Sequence, residues 1–164
     1  HRTAIGQLEV QAKHQQDPDA IAQLASMIKA LIQDIGHLSQ CDGIVAVPPA
    51  PEKPFDLPCT LANILCTASG KPNLTGAAGF GGQKESLKDL PVAEKWSGWD
   101  ASCLCYDQDM ISGKSIVLLD DKYQSGATMH YVASALLVAG ASEVHGLTVV
   151  KTLRDTDNSD VTDD

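Results

Sequence analysis

One apolar run that ends in two adjacent acids constrains this sequence more than any other feature. Segment 116–128 reads IVLLDDKYQSGAT, in which Asp120 and Asp121 directly follow four apolar residues. A continuous apolar run of this kind is typical of a strand that is buried on both faces of a parallel sheet. Small residues and then a helix-like apolar pattern follow, so the sequence predicts a strand, a turn and a helix.

The predicted turn has the chemistry of an anion site. The first backbone N–H groups of a helix lack intrahelical partners, and the helix dipole favours negative charge beside them. Gly126 would let a phosphate approach the backbone closely, and Ser125 and Thr128 can add hydroxyl donors. Asp120 and Asp121, at the carboxyl end of the strand, suit sugar hydroxyls or Mg²⁺. We therefore expect a sugar phosphate here, and the simpler alternative is a solvated cap on the strand.

The same stretch resembles the phosphoribosyl diphosphate (PRPP) binding motif of type I phosphoribosyltransferases. The longer segment 111–150 has Gly113-Lys114 before the strand and Ala139-Gly140-Ala141 after the helix, and it is similar to the ComF-like branch of that family. The resemblance implies an α/β fold of three layers around a central, mostly parallel sheet. It also implies a small hood and a flexible loop beside the sheet.

The resemblance implies roles for individual residues. Asp120 and Asp121 would bind the ribose hydroxyls, take part in catalysis and hold Mg²⁺, directly or through water. The loop residues that would wrap the 5′-phosphate are Gln124, Ser125, Gly126, Ala127 and Thr128. Lys122 and Tyr123 replace residues that are usually small and aliphatic in the family. Gln124 replaces an acid that 6-oxopurine enzymes use as a base, so hypoxanthine and guanine are disfavoured as acceptors.

The diphosphate of PRPP is expected to bind after the first strand and under a mobile loop. The first strand is predicted over 43–47 (GIVAV), and prolines end it abruptly. The candidate diphosphate-binding residues are Pro49, Ala50, Lys53 and Lys88. By resemblance, the charged segment 82–95 is the catalytic loop that closes over PRPP and excludes water, with Lys84 as a catalytic cation. The alternatives are a stiff proline turn without a ligand and an ordinary solvated loop.

Helix signals flank these segments. Asp17-Pro18 would begin an amphipathic helix that Gly36 ends, and Asp56 would cap a second helix that runs to Ser69 and stops at Gly70. Residues 70–100 are the least regular part, in which Trp96 and Trp99 are expected to anchor packing. The remaining predicted elements are a strand over 101–106, a helix over 129–139 and a strand over 143–150.

Composition limits the classes of function. The 164 residues suit one domain, which we place at 1–158 with an N-terminal helical segment at 1–40 and an acidic tail at 159–164. A formal charge of −9, with Arg2 and Arg154 as the arginines, argues against a broad nucleic-acid surface. No apolar run of 18 residues and no signal-peptide pattern is present, so we expect no membrane span.

The cysteines predict a cytoplasmic protein with reduced thiols. They are Cys41, Cys59, Cys66, Cys103 and Cys105. Their odd number and irregular spacing do not match a disulfide framework. We expect buried structural thiols, and zinc binding is the alternative.

Two classes of function fit these observations. The first is an enzyme that binds PRPP and Mg²⁺ and transfers phosphoribose to a nitrogen nucleophile, with release of diphosphate. The second is a binding, regulatory or accessory module with the same fold and no turnover, which the small number of cations and Lys122 favour. The chain begins with His1 rather than Met, which is compatible with a piece of a longer protein that has extra domains upstream. A homodimer is also compatible with the sequence.

Overall fold

Five strands form two sheets in the described parts of a computed structural model, residues 3–49, 53–82 and 92–152. In chain order the strands are β1 (Gly43–Ala46), β2 (Ala78–Phe80), β3 (Leu104–Tyr106), β4 (Ser115–Tyr123) and β5 (Glu143–Lys151). The main sheet is parallel, in the order β1-β4-β5, and β2 and β3 form a separate antiparallel pair. The prediction of a central parallel sheet is confirmed.

Helices cover the sheet on both faces. In chain order they are α1 (Ala4–Val10), α2 (Pro18–Asp34), α3 (Gly36–Ser39), α4 (Leu57–Ser69), α5 (Val92–Ser102), α6 (Gln108–Ile111) and α7 (Ala127–Val138). A π-helical turn at Gln11–Gln15 continues α1, and a 3-10 turn at Thr75–Ala77 precedes β2. Among the described ranges, no helix combines the length and the apolar character that crossing a bilayer requires.

Alternating side chains on β4 divide the core into two layers. Val117 and Leu119 pack with apolar residues of α2 and α4, whereas Ile116 and Leu118 pack with α7 and the β2–β3 pair. All four of these side chains are fully buried. The strand is therefore buried on both faces, as its continuous apolar run predicts, and the predicted three-layer architecture is confirmed.

Local sequence determines where α2 and α4 begin and where α4 ends. Asp17 and Asp56 each accept a hydrogen bond from a backbone N–H group of the first turn, and each is followed by a proline in that turn. Gly70 has φ +71° and ends α4, as predicted. The amphipathic helix also stops before Gly36, since α2 ends at Asp34 with Ile35 as its C-cap, and Gly36 begins the short helix α3.

The region between α4 and β4 differs most from the sequence prediction. We predicted irregular chain over 70–100 and a strand over 101–106, but α5 extends through Ser102 and β3 begins only at Leu104. The buried Trp99 packs α5 on α7, so tertiary contact rather than a regular apolar pattern fixes this helix.

Replacement of Trp99 by Ala should destabilise the fold by about 3–5 kcal/mol, because it removes a large buried side chain. Trp99 is 2% exposed and stacks on Tyr131, with 5.5 Å between ring centroids. Trp96 touches the same ring edge-on but is 38% exposed, so Trp96→Ala should cost about 1 kcal/mol. Urea unfolding of both variants checks the difference, and equal losses would contradict this packing.

Candidate functional site

The carboxyl ends of the three parallel strands meet at one edge of the main sheet. Ala46 of β1 pairs with Leu119 of β4, so β1 ends beside the acids that follow Leu119. On the other side, Asp120 pairs with Thr148 of β5. Ligands of open α/β sheets bind at this kind of edge. The structure therefore brings the acid pair and the glycine loop to the expected place.

Strand β4 does not end at the acid pair. Lys122 and Tyr123 continue it and pair with Val150 and Lys151 of β5. The strand runs on because β5 is long enough to satisfy the backbone groups of both residues. The turn between strand and helix is therefore shorter than predicted and is confined to residues 124–126.

The turn has the backbone conformation of a glycine-centred anion loop. Gly126 is the N-cap of α7 with φ +82°, a left-handed conformation that favours glycine. It offers no side-chain cap to the first N–H groups of a helix of 12 residues. Ser125 Oγ lies 3.5 Å from the backbone nitrogen of Ala127, a long contact. These N–H groups are consequently suited to an anion.

Thr128, at the start of α7, has a second partner. Its Oγ1 accepts a hydrogen bond from Trp99 Nε1 at 3.4 Å, so the hydroxyl is turned toward α5. The hydroxyl proton remains a donor for a ligand. Gln124 and Ser125 are half-buried in the turn beside it.

Tyr123 packs directly against the loop. Its phenol oxygen occupies the space in which a Cβ on residue 126 would stand. Lys151 Nζ lies 5.5 Å from the centroid of the tyrosine ring, and Thr152 donates to the Tyr123 carbonyl from its backbone nitrogen at 3.0 Å. Glycine is thus required at 126 for two reasons, its φ angle and the position of the tyrosine.

Asp121 is paired with a lysine from the N-terminal segment. Lys13 Nζ lies 2.5 Å from Asp121 Oδ2 and 3.9 Å from Glu9 Oε1. Burial acts to lower the pKa of Lys13, but contact with Asp121 and the charges of Glu9 and Asp120 outweigh it and raise the pKa. Lys13 is therefore charged at neutral pH and neutralises Asp121.

Asp120 is the acid without a direct ion pair in the described part of the site. Its Oδ1 accepts a hydrogen bond from the backbone nitrogen of Asp121 at 2.8 Å. Burial, and then the charges of Asp121 and Asp56, raise the pKa of Asp120 to about 7, against the opposing effects of that hydrogen bond and of Lys13. Near neutral pH this carboxyl can both accept and donate hydrogen bonds, which suits sugar hydroxyls.

The acid pair does not fit a Mg²⁺ ion held by the protein. The carboxylate of Asp121 already contacts an ammonium group, and burial of Asp120 disfavours its charged form. Within residues 3–49, 53–82 and 92–152, no cluster of three or more His, Cys, Asp or Glu side chains could hold a metal. Magnesium prefers several oxygen ligands at fixed positions, and this pair does not offer them.

The candidate diphosphate residues are only partly described. Lys53 Nζ lies 2.8 Å from Asp56 Oδ2, so its charge is partly neutralised at the start of α4. Pro49 is half-buried just after β1, at the edge of the sheet that carries the site. The predictions for Ala50, Lys84 and Lys88 fall outside the described residues and stay predictions.

The five cysteines all lie in the described ranges and form no disulfide bonds there. The prediction of buried thiols is confirmed for Cys41 and Cys66, and it is wrong for Cys103 and Cys105, which are exposed. The reason is that β3 belongs to a two-stranded sheet with one open face, while Leu104 and Tyr106 fill the buried face.

Sequence reasoning missed Lys13, Glu9 and Tyr123 as site residues. Glu9 and Lys13 are four positions apart, a spacing that favours an ion pair on one helix face. The spacing could have predicted the ion pair between Glu9 and Lys13, but it could not have predicted the contact of Lys13 with Asp121. The departure at Tyr123 from a small aliphatic residue was visible, but its position against Gly126 was not.

Comparison with known proteins identifies the fold. No protein-family model and no curated protein matches this chain. Its structure is similar to a glutamine PRPP amidotransferase from B. subtilis complexed with ADP and GMP, with a TM-score of 0.58 and 20% identity over 86% of this chain. It is also similar to a structure described as the allosteric regulatory enzyme of purine biosynthesis, with a TM-score of 0.54 and 19% identity over 86% of this chain.

The chain spans 30% of the length of each of these two structures. At such low identity, the likeness establishes the fold and not the activity. The parallel sheet β1-β4-β5, its flanking helices and the two similar structures agree on one conclusion. The chain has the type I phosphoribosyltransferase fold.

Proposed function

We propose that this chain binds a phosphorylated ribose, PRPP in the first place, at the carboxyl edge of the main sheet. The observation that carries the proposal is Gly126, which begins α7 at φ +82° directly after the strand that bears the acids. In this proposal the 5′-phosphate binds the first N–H groups of α7, and ribose hydroxyls bind Asp120. Ser125 and Thr128 add hydroxyl donors to the phosphate.

The proposed reaction transfers phosphoribose to a nitrogen nucleophile. The bond from ribose C1 to the diphosphate oxygen breaks, a bond from C1 to nitrogen forms, and diphosphate leaves with the bonding electron pair. The nucleophile loses a proton to solvent or to a nearby base. The protein would fix the phosphate and the ribose and would place positive charge near the leaving group, with Lys53, Lys84 and Lys88 as candidates.

Several finer assignments belong to the same proposal. Mg²⁺ would arrive on the diphosphate of PRPP rather than on the acid pair, since magnesium is often bound through substrate phosphates. Membership of the ComF-like branch rests on the motif residues within 111–150. The amide of Gln124 disfavours a 6-oxopurine acceptor, because an amide is not a base at neutral pH.

A second candidate function is a module that binds PRPP without turnover. Two observations favour it. The ammonium group of Lys13 contacts Asp121, and the phenol of Tyr123 packs against Gly126, so part of the expected ligand surface already has protein partners.

Calorimetric titration with PRPP and with ribose 5-phosphate tests binding, and diphosphate release across a panel of bases, amines and ammonia tests transfer. We expect binding of both sugar phosphates and release with at least one acceptor. Binding without release from any acceptor would support the module instead. No binding of either compound would contradict the proposal.

A further inference from the structure

The N-terminal segment delivers a cation to the acid pair from outside the parallel sheet. Ala12 is fully buried in the core layer under α2, and its neighbour Lys13 reaches the edge of the sheet. Both lie in the π-helical turn Gln11–Gln15, which ends at Gln16 with φ +53°. Such turns are rare and occur often at functional sites.

The surroundings of Lys13 are those of a cation site rather than of a surface ion pair. Its ammonium group lies 2.5 Å from Asp121 Oδ2 and 3.9 Å from Glu9 Oε1, and both of these acidic residues are only 7% exposed. Asp120 adds a third carboxyl group next to Asp121. Removal of Lys13 would leave Glu9 and Asp121 without the ammonium group that pairs with both of them in the described structure. Carboxylate oxygens that lack a counter-ion attract a divalent cation, although these acids are not arranged as a ready-made metal site in the described residues.

We infer that Lys13 takes the place of a divalent cation at the acid pair, so that a sugar phosphate binds here without a metal ion held by the protein. This inference rests on the proposed function for its ligand. It makes Lys13 a positioning residue, which neutralises and fixes Asp121 while Asp120 and the loop face the sugar phosphate.

The ordinary alternative is a buried ion pair that serves only to hold α1 on the sheet. Breaking such a pair by removing one partner also destabilises a protein, so a loss of stability does not distinguish the two roles. The two roles differ in whether removal of Lys13 makes stability depend on a divalent cation. If Lys13 takes the place of such a cation, the position that it leaves should attract Mg²⁺.

The first experiment uses the metal alone. Thermal unfolding of wild type, Lys13→Met, Lys13→Arg and the charge-matched control Lys29→Met is followed with and without MgCl₂ at constant ionic strength. Lys29 lies on α2 and lines a groove between α2 and α4. We expect only Lys13→Met to gain stability, by roughly 3–5 °C when Mg²⁺ is at ten times its Kd. The additional change Asp121→Asn should remove that gain.

An equal gain in wild type, or no gain in Lys13→Met, would overturn the inference. If Lys13→Met does not fold, binding of Mn²⁺ to wild type by electron paramagnetic resonance decides the question. In that experiment we expect wild type to bind no Mn²⁺ at Asp121. Binding to wild type that Asp121→Asn abolishes would overturn the inference.

The second experiment separates this inference from the proposed function. Wild type should bind ribose 5-phosphate equally in Mg²⁺ and in EDTA, whereas Lys13→Met should bind it at least about tenfold more weakly in EDTA than in Mg²⁺, a difference of roughly 1.4 kcal/mol. Binding by wild type only in Mg²⁺ would overturn the inference and leave the proposed function standing. No binding by wild type in either condition would contradict the proposed function, and the metal experiment alone would then decide the role of Lys13.

Discussion

Gly126→Ala is expected to lower the affinity for PRPP and for ribose 5-phosphate by about 100-fold or more, the equivalent of one or two charge-assisted hydrogen bonds. The new Cβ would stand where the phenol oxygen of Tyr123 lies, so either the tyrosine or the loop must move. Movement of the loop turns the first N–H groups of α7 away from the phosphate position. Calorimetric titration of the variant with both compounds measures the loss.

Gly113→Ala is the matched control for this variant. Gly113 has φ +75°, close to the φ +82° of Gly126, but a Cβ there would meet nothing within 4 Å. Both variants should lose about 1–2 kcal/mol of stability from the left-handed backbone alone. Only the change at Gly126 should weaken binding. If Gly126→Ala is as stable as Gly113→Ala and binds both compounds with the affinity of wild type, the role assigned to the loop is contradicted.

Asp120→Asn is expected to make the protein more stable at pH 8 and to weaken its binding of the ribose. The amide keeps the shape of the side chain and the oxygen that accepts from Asp121, and it removes a charge that burial opposes. The gain in stability should be on the order of 2 kcal/mol at pH 8. An amide presents one acceptor oxygen in place of two, so affinity for ribose 5-phosphate should fall by about tenfold or more.

The stability of the fold should change with pH in a defined direction because of Asp120. Folding raises the pKa of Asp120 from 3.8 to about 7, so the folded state binds this proton more tightly than the unfolded state. The effect of Asp120 on the free energy of unfolding is therefore most favourable below about pH 4. The free energy of unfolding falls as the pH rises from about 4 to about 7 and stays constant above that. In Asp120→Asn this decline should be absent, and urea unfolding between pH 4 and pH 8 measures it.

Asp34→Asn is the control for the change of charge. Asp34 is exposed at the end of α2, and its replacement should leave both the binding and the decline of stability with pH unchanged. A loss of stability in Asp120→Asn at pH 8, or full affinity for ribose 5-phosphate, would contradict the account of Asp120 as a buried ligand for sugar hydroxyls.

Those parts of the fold that depend on local chemistry were predictable from the sequence. Asp56 and Gly70 gave the ends of α4 because capping is a property of neighbouring residues. The apolar run of β4 gave the buried strand. Helix α5 and strand β2 were not predicted, and the strand that contains β3 was predicted to begin too early, since Trp99 holds α5 through distant contacts and Gly79 was interpreted as part of a flexible segment.

In the candidate site, too, the features that depend on neighbouring residues were predictable and those that depend on distant contacts were not. The positions of Asp120 and of Gly126 followed from the order of strand, turn and helix. The contact between Lys13 and Asp121 joins residues that are far apart in the chain, and periodicity carries no information about it. The packing of Tyr123 on Gly126 depends on the length of β5, which extends β4 past the acids.

A crystal structure of the chain with ribose 5-phosphate bound tests the central claim most directly. The account predicts phosphate oxygens at roughly 2.7–3.2 Å from backbone nitrogens at the start of α7, with the ribose hydroxyls at Asp120. Ligand bound elsewhere on the protein, or a loop that stays empty beside Tyr123 at saturating ligand, would contradict it.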